Sequence, residues 1–144
     1  MKKITFLFLL FIILITVLSF AQTSVRVPNN FIGTWWIDLT DILDTPLGIQ
    51  TLMSYDIKND STWIITVILT AFNQQGRNLF SEHGMGNEQV MVDGSGIITS
   101  ATSNEIILTL PNSNLVYNKF RIDGNDLIDM NEWRWTRTRP APRN

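Results

Sequence analysis

Gly48-Ile49-Gln50-Thr51-Leu52-Met53-Ser54-Tyr55-Asp56-Ile57-Lys58, followed by Asn59-Asp60-Ser61 and then Thr62-Trp63-Ile64-Ile65-Thr66-Val67-Ile68-Leu69-Thr70-Ala71-Phe72, is the stretch that decides the fold. In the first run Ile49, Thr51, Met53, Tyr55 and Ile57 occupy alternate positions, whereas Gln50, Ser54, Asp56 and Lys58 mark the opposite face as wet. That period of two places successive side chains on opposite sides of a strand. In the second run Trp63, Ile65, Val67, Leu69 and Ala71 share one face, opposed by Thr62, Thr66 and Thr70 together with Ile64 and Ile68. Such β-branched and aromatic residues suit a pleated, half-buried surface, and Asn-Asp-Ser between the runs supplies a tight turn. Two strands alone cannot hide an apolar face this wide, so the pair requires more sheet around it.

The flanking chain supplies it. Helical periodicity is nearly absent after residue 22, and short strand-like runs alternate with turn residues. They cover residues 31–38, then 79–83 and 88–92 as two strands or as one interrupted at Gly84-Met85-Gly86-Asn87. Further runs lie at 97–102, 105–110, 115–122, 127–130 and 133–138. Residues 73–78 read as a loop, Asp93-Gly94-Ser95-Gly96 as a turn, and Asp123-Gly124-Asn125-Asp126 as a hairpin turn whose glycine provides a positive φ. The expectation is an all-β, up-and-down antiparallel β-barrel of eight to ten strands, since closure removes exposed edges; a β-sandwich is the alternative. Asp38, Asp41 and Asp44 are spaced to align on a short helical turn, which reads as a solvated loop before it reads as a calcium site.

At the N-terminus, Lys2 and Lys3 precede an uncharged, mostly apolar run from Ile4 to Leu18, and Ser19-Phe20-Ala21 follows. This is the order of a signal peptide cleaved after Ala21, an uncleaved membrane anchor being the other reading. Residues 1–21 are therefore expected to be a signal peptide and 22–144 one domain, in a secreted or periplasmic protein. The chain has no cysteine, so neither a lipid-bearing thiol nor a disulfide assists it. Its formal charge of −2 becomes more negative once Lys2 and Lys3 are set aside. A nucleic-acid footprint would need the opposite sign. Arg134, Arg137, Arg139 and Arg143 crowd the C-terminus, where a solvated strand face and a frayed end account for them.

Phe31-Ile32-Gly33-Thr34-Trp35-Trp36 resembles the Phe-x-Gly-x-Trp-aromatic start of the first lipocalin strand, and the arginines near the chain's end agree with it. The late hairpin around Tyr117, Phe120, Ile122, Gly124, Asn125 and Leu127 looks like that of small bacterial lipocalin-like domains. In that family the tryptophan packs across the closed end of the barrel beneath an arginine from the last strand. The resemblance thus implies a calycin-type barrel in which Trp35 lies under Arg137, with Gly33 letting the backbone pass close by.

Catalytic chemistry is hard to assemble. There is no cysteine nucleophile and one histidine, His83, which reads as a surface residue at a strand end. Ser95 lacks the glycine spacing of a nucleophile elbow, and residues 123–129 put Leu127 and Ile128 where a calcium loop needs a ligand and a glycine. No enzyme, cofactor or metal is expected. The favoured reading is an exported binding protein for a small, mostly apolar ligand, held by Met53, Tyr55, Ile57, Ile65, Val67 and Phe120 with Asn118 and Tyr55 as the polar contacts. The alternative is a filled barrel that acts as an interaction or inhibitor module through its loops and outer face.

Overall fold

The computed structural model describes residues 25–42 and 48–143. The expected signal segment 1–21, the start of the 22–144 domain and Asp44 lie outside the described residues. The strands are β1 (Gly33–Asp38), β2 (Ile49–Ile57), β3 (Thr62–Ala71), β4 (Glu88–Ala101), β5 (Glu105–Thr109), β6 (Val116–Asp123), β7 (Asp126–Ile128) and β8 (Arg134–Trp135). One helix, α1 (Gln74–Glu82), sits between β3 and β4. Each strand is antiparallel to its neighbour, and sheet order follows chain order from β1 to β8. Trp36 and Thr136 exchange both backbone hydrogen bonds, at 2.7 and 2.9 Å, and so join the last strand to the first. The result is the expected up-and-down barrel, nearly closed, with eight strands.

The faces sort as the alternation requires. Trp35 and Ile37 of β1, Tyr55 and Ile57 of β2, Trp63 and Ile65 of β3, Ile106 and Leu108 of β5, Phe120, Leu127 and Trp135 form one buried cluster inside the barrel. Val25, Val27 and Phe31, ahead of β1, pack onto the same cluster and stopper one end. The stopper is tied to the turns around it: the Ser61 hydroxyl donates to the Val25 carbonyl, and Asn30 donates to the Ser103 carbonyl at 3.0 Å.

The outer face of β2 is buried too, although its polar residues mark it as wet. Gln50, 1 % exposed, uses its side-chain amide as a strand would use its backbone. It donates to the Ala141 carbonyl at 2.9 Å and accepts from the Arg143 amide at 3.2 Å, which lays the C-terminal tail along the barrel wall. Arg143 then reaches Asp41 at 2.7 and 2.8 Å and Asp38 at 3.4 Å. Arg139 lies 5.4 Å over the Trp36 ring on the way.

Three expectations are corrected, the first being the frayed C-terminal end, which Gln50 and Asp41 hold in place. Residues 79–83 are not a strand, and 73–78 are not a loop: α1 occupies the interval, with Asn73 Oδ1 accepting the Gly76 amide at 2.9 Å as an N-cap and Phe80 buried. Gly48, at φ +69°, makes room for that cap, since a β-carbon there would lie 1.8 Å from Asn73 Oδ1. His83 consequently ends a helix rather than a strand. Asp93-Gly94-Ser95-Gly96 is not a turn either, because β4 runs straight through it with a register shift where Asp93 bulges out. The reason is Trp63: a β-carbon on Gly96 would meet its indole at 2.5 Å and the Thr109 carbonyl at 2.1 Å, so glycine lets the ring cross the strand.

Candidate functional site

At the stoppered end, Arg137 spans the seam between the last strand and the first. Its guanidinium carbon is 4.0 Å from the Trp35 ring centroid, and its two terminal nitrogens donate to the Ile32 and Asn30 carbonyls at 2.8 Å each. Gly33 permits this, because a β-carbon there would stand 2.6 Å from the arginine Nη1 and its φ is +120°. Trp35 Nε1 donates to the Phe31 carbonyl at 2.7 Å, so its one polar atom is satisfied within the stopper. This end is sealed.

Halfway up, the interior is aromatic with a small polar seam. Tyr55 meets Phe120 and Trp135 edge-on at 4.9 Å each and tilts against Trp63 at 6.0 Å. Asn118 Oδ1 accepts the Lys119 amide at 2.7 Å and the Met130 amide at 3.5 Å, which turns its Nδ2 toward the Tyr55 hydroxyl at 3.1 Å. Asp129 accepts the amides of Asn131 and Trp133 at 2.8 and 3.0 Å and the Trp135 indole N–H at 3.1 Å. Burial pushes the Tyr55 phenol far above its ordinary range; the Asn118 hydrogen bond opposes this, while Tyr117, Asp129 and Asp93 add to it. Tyr55 is therefore a neutral hydrogen-bonding group at any ordinary pH.

The far end is different. Strand β4 begins at Glu88, but β5 pairs with it only from Ile97 onward, where Ile97 faces Thr109. Among the described residues the stretch 88–96 has β3 on one side and no strand on the other. Met91 lies opposite Val67, and Val67 opposite Met53, so all three belong to the interior face. Yet Met91 is 48 % exposed, and Met53 and Val67 are only partly covered. In β6 a register shift between Leu108 and Thr109 moves Tyr117 out of the alternation, and its ring stacks on Trp63 at 4.9 Å. Leu115 and Val116 precede it, both exposed.

The seven residues predicted to hold a ligand thus separate by burial. Met53 and Val67 are partly covered, on the interior face level with the unpaired stretch of β4, while Tyr55, Asn118, Phe120 and Ile65 are fully packed. Ile57, 1 % exposed, pairs with Gly33 under the stopper and is fully packed. The inward facing of Met91 and the stacking of Tyr117 on Trp63 are not legible in the sequence, because each follows from a bulge that the period of two does not announce.

Two clefts on the outside take none of these seven. One of about 410 Å³ lies beside the sealed end, lined by residues including Asn30, Trp35, Ile122, Asp126 and Arg137. Another of about 230 Å³ is lined by Glu105, Lys119, Arg121, Asp129 and Glu132 among others, and it is mostly charged. Asp38 and Asp41 are engaged by Arg143, and among the described residues no group of three or more His, Cys, Asp or Glu is placed to hold a metal ion. Compared with known protein families, characterised proteins and solved structures, the chain matches none.

Proposed function

We propose that this chain is an exported, lipocalin-like carrier whose unsealed barrel end receives a small, mostly apolar molecule. The observation that carries the reading is Met91: it faces the interior in register with Val67, yet stands half exposed at the mouth. Soluble domains seldom leave inward-facing apolar side chains wet without a use for them. Met53 and Met91 give the mouth adaptable, polarisable walls, Tyr117 stacked on Trp63 gives it a flat one, and the Tyr55–Asn118 pair lies below. A concave apolar surface with a few polar groups at its base is the usual form of a small-molecule site. The Trp35–Arg137 arrangement at the opposite end supports the lipocalin likeness.

The filled-barrel alternative has its own support in the four rings of Tyr55, Trp63, Phe120 and Trp135, which occupy the middle of the interior. One titration separates the two. A fluorescent fatty-acid analogue added to the purified protein should quench tryptophan emission saturably at one equivalent, and Val67→Trp, which fills the mouth, should abolish the response. Native mass spectrometry after detergent-free purification should show a bound species of small-molecule mass. A linear, non-saturating response with no retained species would leave the filled module standing.

A further inference from the structure

The unpaired stretch of β4 has a hydrogen-bonding polarity that can be worked out. Ala71 donates its amide to the Asn87 carbonyl at 2.9 Å, which makes Ala71 and Asn87 a hydrogen-bonded pair. The register from Thr70–Glu88 to Val67–Met91 continues from it, and antiparallel ladders alternate bonded and non-bonded pairs. Gln89 and Met91 therefore spend their backbone groups on β3. Glu88, Val90 and Val92 aim theirs at the open side, where no described strand meets them.

The side chains on this edge do little to discourage a partner. Val90 is 60 % and Val92 72 % exposed, both on the outer face, with Met91 between them on the inner one. From Glu88 to Gly96 there is no lysine and no proline, the residues that commonly blunt a free edge. Glu88 already has a cation 3.5 Å away in Arg139. The bulge at Asp93 ends the regular stretch, leaving five residues, 88–92, with straight strand geometry.

We infer that this edge pairs with the same edge of a second copy of the chain, antiparallel about a two-fold axis through Val90, to form a homodimer. The sequence is self-complementary in that register. Val90 faces Val90, Glu88 faces Val92 and Gln89 faces Met91, so no like charges stand opposite each other, and the donors and acceptors of Glu88, Val90 and Val92 satisfy one another in both directions. Pairing of five residues is a small contact, at the low end of specific interfaces, so the dimer dissociates readily. It is independent of the carrier reading, because Val90 and Val92 lie on the outside of the barrel.

The test is analytical ultracentrifugation of the purified protein over a concentration series, combined with amide hydrogen exchange at both extremes. The mass should rise toward twice the single-chain value, and the amides of Val90 and Val92 should gain protection with concentration while those of Gln89 and Met91 are protected throughout. Val90→Pro removes only a donor that faces the open side, and Val90→Lys places two like charges together at the axis. Both should stay folded by near-ultraviolet circular dichroism and remain single chains. A single-chain mass at every concentration would overturn the inference. So would a dimer in which Val90 and Val92 exchange freely, or protection of these amides in the single chain, which would mean that another part of the same chain covers the edge.

Discussion

Trp35 shows how much one residue carries here. It is 1 % exposed, bonded through its indole N–H to Phe31 and covered by Arg137, so its removal opens a void that neither stopper nor seam can refill. Trp35→Ala should lower stability by ~3 to 5 kcal/mol, the usual cost of truncating a buried tryptophan. Chemical denaturation followed by far-ultraviolet circular dichroism measures it, and a loss below ~1 kcal/mol would be that of a surface site. Both Trp35 and the arginine were legible in the sequence, Trp35 from the alternation in β1 and Arg137 from the family likeness. Tyr117 was not: its parity assigns it to the outside, and only the bulge beside Thr109 brings its ring onto Trp63.

At the scale of elements, β1, β2, β3 and the β6–β7 hairpin were readable because apolar residues recur at alternate positions along them, or a glycine turn joins them; Gly124 has φ +63° as that turn requires. Helix α1 escaped notice because its nine residues hold little to bury beyond Phe80 and begin with a cap that depends on Gly48, distant in sequence. The C-terminal tail reads as frayed in the sequence, since nothing local in Pro140-Ala141-Pro142-Arg143 indicates that Gln50 will receive it. The tail's latch responds to acid. Burial pushes the Asp38 carboxyl up, but hydrogen bonds from Thr40 and Gln50 and the charge of Arg143 outweigh it, leaving it below the ordinary 3.8; Asp41 is lowered by its hydrogen bonds from Arg143. Groups held low in the folded state contribute fully above the ordinary value and lose that contribution as pH falls through the lower, folded one. Acidification past 3.8 should therefore free the tail and, with it, Arg139 from Trp36, shifting tryptophan emission before the barrel's far-ultraviolet signal changes. Emission that moves only together with the far-ultraviolet signal would show that the latch has no separate transition.

For the whole molecule, the all-β barrel was the most legible property, because the period of two recurs in most strands and fixes which face points inward. The unpaired stretch of β4 was the least legible, as it arises from β4 outrunning β5, a mismatch of lengths between elements that no single run displays. Export is a property of the chain as a whole: if Ser19-Phe20-Ala21 is the boundary it resembles, protein recovered outside the cytoplasm should have an intact mass beginning at Gln22, and a mass retaining Lys2 to Leu18 would exclude cleavage. The seam between β1 and β8 has a mechanical consequence. These two strands are antiparallel neighbours, so Val25 and Arg137 leave the barrel at the same end, and tension applied between them falls on the Trp36–Thr136 bonds and the arginine one after another instead of all together. Under a stretching force between these two points the barrel should therefore open first at this seam, at a lower load than strands sheared along their whole length would bear.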